Sequence, residues 1–181
     1  MANNHGYAQS TLCSCWNVDS MNIAGVYADG DVDNGTIVVL DGMNIDATTG
    51  KVKGYEYKVA MADASSKSCW IIESPEVGRT LEQQMMSDPR YFYNEAGKGF
   101  SLKYLHAAVD CWEFDAHCFA SGTLPTVEEI GYFVPVGANG KLGAPVASEP
   151  AGGCYFRVEA LKDVAVGQGF MTVAILRCMA N

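Results

Sequence analysis

The stretch FMTVAILR, residues 170–177, is apolar at nearly every position. A strand with one face in water alternates polar and apolar residues, so this run is expected at the centre of a sheet with both faces covered. Reading back along the chain, other short apolar segments recur between turn signals. CYFRVEAL (154–161) alternates, with Phe156, Val158 and Ala160 facing one way. GYFVPVG (131–137) carries Pro135, which cannot donate a ladder hydrogen bond and so suits a sheet edge. CWEFD (111–115) and SLKYLH (101–106) are short and partly alternating, and CWIIE (69–73) is β-branched and aromatic. YEYKVAM (55–61) sets Tyr55, Tyr57 and Val59 on one face. TIVVL (36–40) follows Asn34-Gly35, a pair that tolerates positive φ and makes a tight turn. About eight strands divided by glycine-rich turns predict a mainly β chain, a compact antiparallel sandwich or barrel.

One short helix is expected over TLEQQMMSDP (80–89). Thr80 and Gln83 stand in capping-box register and Pro89 is the stop. A second capping box, Thr126 with Glu129, runs into Gly131 and supports a single turn. GANGKLGAPVASEPAGG (137–153) reads as a hairpin at ANGK followed by an exposed loop. Residues 1–35 are rich in Asn, Ser, Gly and Asp without a sustained period, and read as an extended N-terminal arm before a β domain at 36–181.

With 181 residues, 49% of them hydrophobic, the chain can bury a core. Its net charge is −9, and Lys and Arg are scattered singly. Phosphate backbones and anionic lipids are met by basic clusters, so neither nucleic acid nor a membrane surface is an expected partner. MANNHGYAQSTLCSC lacks a basic segment followed by an apolar one, and VAVGQGFMTVAIL is too short and too glycine-broken for a spanning helix. Synthesis in a cytoplasm is the expectation. Seven cysteines at irregular spacing then read as free, mostly buried thiols.

The chemical candidates are few. In ADGDVDNGTIVVLDG (28–42), Asp29, Asp31 and Asp33 open like a calcium loop, which needs glycine at its sixth position and a bidentate glutamate at its twelfth. Counted from Asp29, those positions hold Asn34 and Leu40, and the exit segment is β-branched. The three aspartates therefore stand as solvated carboxylates, candidates for an adventitious cation at most. Cys13-x-Cys15 and Cys111 with His117-Cys118 lack zinc-knuckle spacing. NEAGKGFS (94–101) has Phe92 where a phosphate loop needs its first glycine and Gly99 where it needs Ser or Thr, so it reads as a turn. Cys111 or Cys118 could pair with His106 or His117, but no third, orienting group is visible. No catalytic set and no cofactor are expected. The aromatic residues Trp16, Tyr27, Tyr91, Phe92 and Tyr93 are candidate interface anchors, since such side chains dominate contact energetics.

The order of segments carries a resemblance. VDNGTIVVL is followed by CWIIESPE, then by PRYFYNEAGKG with LKYLHAAVDCWEF, and last by GYFVPVGANGKLG before two terminal strands. This series, over residues 32–177, resembles small head-associated structural proteins of tailed bacteriophages, often taken as capsid decoration proteins. The D-N-G-x-apolar and F-Y-N-E-A-G-K phrases are its most specific parts. The chain departs from the pattern at Gly99-Phe100 and in its cysteine-rich N-terminus. The resemblance implies a non-enzymatic virion protein on the outside of an icosahedral shell, partnered by the major capsid protein and working as a homo-oligomer, with a trimer favoured. The arm is then the expected anchor, and its removal (residues 1–30) is expected to leave an intact domain. A tail or head–tail connector protein and a carbohydrate-binding β module, suggested by the Trp and Tyr content, are the rival readings.

Overall fold

A computed structural model describes residues 5–12, 21–76, 89–166 and 169–181. The helix expected over 80–89 and the candidate Trp16 fall outside these residues, apart from Pro89, which opens a short 3-10 turn to Tyr91. In chain order the strands are β1 (Ala8–Leu12), β2 (Asn22–Val26), β3 (Ile37–Ile45), β4 (Val52–Met61), β5 (Trp70–Ile72), β6 (Gly99–Tyr104), β7 (Cys111–Phe114), β8 (Phe133–Pro135), β9 (Tyr155–Val166) and β10 (Gly169–Ala180). The chain is mainly β, and every helical segment among the described residues is a 3-10 turn. Among the described residues no helix is long and apolar enough to cross a membrane.

The strands form two sheets. One is open and antiparallel, in the order β1-β7-β10-β9-β8. The apolar run 170–177 lies in its central strand, and Pro135 lies in its edge strand, as their residue types require. The other sheet is a closed barrel, β2-β4-β3-β5-β6. Strand directions cannot alternate all the way round a closed ring of five, so one pair must be parallel. That pair is β2 with β4, and the other barrel pairs are antiparallel.

Side-chain alternation on β3 and β5 joins the sheets. Val38, Leu40, Trp70 and Ile72 point into the barrel, where they meet Val59, Phe100 and Leu102. Their neighbours Ile37 and Ile71, a cross-strand pair, point the other way. They pack with Trp112, Phe114, Phe156 and Leu176 of the open sheet. These two strands are thus apolar on both faces because each face belongs to a different core.

Within the stretch read as an extended N-terminal arm, two segments are strands of the sheets. Ala8–Leu12 pairs with β7, and Asn22–Val26 pairs with β6 and closes the barrel. Tyr7 and Ala8 are buried. The polar residues that hid these strands have dedicated partners: Ser10 donates its backbone N–H to the Glu73 carboxylate, and Thr11 its hydroxyl to Glu113. Removing residues 1–30 takes away one strand from each sheet, so that deletion is no neutral test of attachment.

The Thr126–Glu129 capping box is present and supports one 3-10 turn, Val127–Glu129. ANGK is a tight turn closed by a Gly137 N–H to Lys141 C=O bond of 2.7 Å.

Candidate interaction surface

Three of the phrases that carry the phage resemblance meet in space. Asn34, from VDNG, donates to the Ser74 carbonyl (3.0 Å) and accepts from the Ser74 backbone N–H (3.1 Å). Asn94, from YFYNEAGK, donates to the Asn34 side-chain Oδ1 and to the Val32 backbone carbonyl, both at 3.2 Å. The Ser74 hydroxyl accepts from the Ser101 N–H at 3.1 Å. All three side chains are buried, so the satisfied polar node fixes how three loops meet at one end of the barrel. Gly35 beside it sits at φ +86°, and a Cβ there would lie 2.7 Å from both Ala8 Cβ and Cys118 Sγ. The D-N-G phrase is therefore structural, with a side chain that bridges and a residue that must lack one.

The three aspartates of the opening motif diverge. Asp31 accepts the Ala96 N–H at 2.8 Å. Asp33 takes His5 Nδ1 at 2.9 Å and Lys141 Nζ at 3.4 Å. Asp29 faces a separate cleft with Asp41, Lys53 and Lys58. They do not share a centre, and among the described residues no group of three or more His, Cys, Asp or Glu is arranged to hold a metal ion.

Cys118 does sit beside an imidazole and a carboxylate. Its Sγ is 3.4 Å from Asp115 Oδ1, while His117 Nδ1 is 3.1 Å from Asp115 Oδ2. The carboxylate separates the thiol from the ring. Burial, then the neighbouring Asp115 charge, pushes the Cys118 pKa well up, which keeps the sulfur protonated and a poor nucleophile. Asp115 also accepts the Tyr7 N–H at 3.0 Å, so the group staples the N-terminal segment to the core. The thiol of Cys154 hydrogen-bonds with those of Cys178 and Cys69, and these bonds, with burial, raise its pKa. All five described cysteines are free and buried, as their spacing implied.

The aromatic run Tyr91-Phe92-Tyr93 does not form an exposed surface. Phe92 is buried, Tyr91 and Tyr93 are half-buried, and Tyr93 stacks on His5 with centroids 4.8 Å apart. Tyr27 is half-buried against the barrel core.

The uncovered apolar surface lies elsewhere. β3 pairs with β5 only at Ile37 and Val38, and β4 with β2 only at Tyr57 and Lys58. Beyond those points β3 and β4 run on as a two-stranded ribbon, closed by a turn in which Asp46 accepts the Thr48 and Thr49 N–H groups. The cross-strand pairs Met43–Tyr57 and Ile45–Val52 lie along this ribbon, with a register shift between them. Met43, Ile45 and Val52 are 41%, 42% and 51% exposed, and Tyr55, in the irregular stretch between the pairs, is 92% exposed. On the far hairpin, Phe170 is 79% exposed. Alternation in YEYKVAM set Tyr55 on one face with Tyr57 and Val59, of which Val59 is buried and Tyr55 exposed.

The fold and these surfaces define a mainly β chain of one open sheet and one barrel with a projecting apolar ribbon. Comparison with family models, with curated proteins and with solved structures finds no match.

Proposed function

We propose that this chain is a virion structural protein that binds the outer surface of an icosahedral bacteriophage capsid as a decoration protein. Its partner is the major capsid protein, and its working form is a homo-oligomer, a trimer. The observation that carries this reading is the β3–β4 ribbon. A two-stranded ribbon alone is marginal in water, and this one keeps Met43, Ile45, Val52 and Tyr55 exposed. Such a face gains when a protein surface covers it. The motif series supports the same reading. In such an oligomer, joining copies would raise avidity about 10²–10⁴-fold without new contacts.

The test is a density map of the intact particle with a count of copies. Decoration requires the chain outside the shell in roughly hundreds of copies, as shell symmetry dictates. A position inside the shell, absence from it, or the roughly six to a few dozen copies of a connector or tail part overturns the proposal.

A further inference from the structure

We infer that the cleft at the foot of the β3–β4 ribbon is a binding site for a neutral saccharide. The cleft measures about 400 Å³, inside the range of about 300–1,000 Å³ usual for small-ligand sites. Tyr27 and Asp29 line one side, after β2. Asp41, Asn44, Lys53 and Lys58 of the ribbon line the other.

Two carboxylates and two ammonium groups share this cleft, and their formal charges cancel. Among the described residues these four groups make no ion pair with one another, and the Lys53 charge also acts on the Asp46 carboxylate at the ribbon turn. The cleft thus offers acceptors that cannot donate, donors that cannot accept, and one amide that does both. A sugar hydroxyl, at once donor and acceptor, suits every one of them. A ligand of either net charge gains little from a wall of zero net charge. An amino acid or peptide end engages one carboxylate and one ammonium group and leaves the other pair unused. A polyhydroxylated ring spreads its bonds over the whole set. Tyr27 packs partly on the barrel core, which holds a ring at the cleft wall. Flat aromatic surface beside hydroxyl-binding groups is the combination a pyranose requires, with its apolar C–H face and polar rim. This site is independent of the capsid reading and survives its failure.

The experiment titrates the full-length chain with neutral oligomers of glucose, galactose, mannose and N-acetylglucosamine, followed by calorimetry and by chemical shifts. Diglycine stands for zwitterions and inorganic phosphate for anions. The expected result is saturable binding of at least one neutral oligosaccharide, with shifts at Asn44. Asp41→Ala and Lys53→Ala each weaken it about tenfold or more, the loss of one charge-assisted hydrogen bond. Both side chains are exposed, so circular dichroism is expected to stay unchanged, and Phe170→Ala, on the far hairpin, is expected to keep full affinity. No saturable binding to any of the sugars at millimolar concentration overturns the inference. So does binding of diglycine or phosphate alone, or affinity untouched by both cleft variants.

Discussion

Strand β3 begins and ends in opposite environments. Ile37 and Val38 are fully buried, one facing each core, whereas Met43 and Ile45, a few residues on, are more than 40% exposed. Apolar residues continue at Met43 and Ile45, now interleaved with Asp41, Gly42 and Asn44, and the number of neighbouring strands falls. At the root β3 is flanked by both β4 and β5, and in the ribbon it has β4 alone. The same apolar chemistry therefore serves stability at one end and is available for contact at the other.

That contrast is broken most forcefully at the root. Ile71→Ala removes a side chain that packs between the two sheets. It is expected to cost about 3–4 kcal/mol in denaturant unfolding. Loss below about 1 kcal/mol would show that the sheets do not share this core. Asn34→Ala comes next, at about 2–3 kcal/mol, because it strands the Ser74 backbone N–H and C=O and takes one of its two acceptors from the Asn94 amide, which keeps the Val32 carbonyl.

The N-terminal segment sharpens the comparison through pH. Burial, then the carboxylates of Glu76, Glu113, Glu73 and Asp115, pushes the Tyr7 hydroxyl from an ordinary 10 up to about 12. The folded state thus holds the neutral phenol while the unfolded chain ionises. The stability involved is intact below pH 10 and is lost as pH climbs from 10 towards 12. The fall amounts to about 2 kcal/mol. Tyr7→Phe is expected to unfold less steeply over that interval, measured as the difference between the two proteins at each pH. Parallel alkaline limbs would mean that Tyr7 is not held in this buried, acidic setting.

What the sequence disclosed, and what it withheld, follows from range. Period-two alternation is local, so the segments around Ile37, Trp70, Phe156 and Val173 were legible, as was the edge position of Pro135. AQSTL and NIAGV were not. The first is held by Glu73 and Glu113, 63 and 102 residues away from Ser10 and Thr11. Nothing local announces such partners. Alternation also tells which side chains share a face without telling whether another strand covers it, so it could not show that Tyr55 stands exposed while Val59 is buried. Of the cleft residues, Tyr27 and Asp29 stood out in the sequence. Asp41, Asn44, Lys53 and Lys58 are ordinary strand residues until β3 and β4 bring them opposite.

The ribbon is where the smallest effect on stability should accompany the largest effect on attachment. Ile45→Lys with Val52→Lys replaces one exposed cross-strand pair. Side chains so exposed contribute little to folding, and a change within about 0.5 kcal/mol is expected. If the ribbon face is the contact, the same protein fails to co-sediment with capsids that wild type binds, because two ammonium groups cannot be buried without partners. Asn34→Ala should show the converse at temperatures where it stays folded, with stability lowered and attachment kept. A doubly charged ribbon that still binds capsids would remove the functional half of the contrast and leave the apolar face as surface alone.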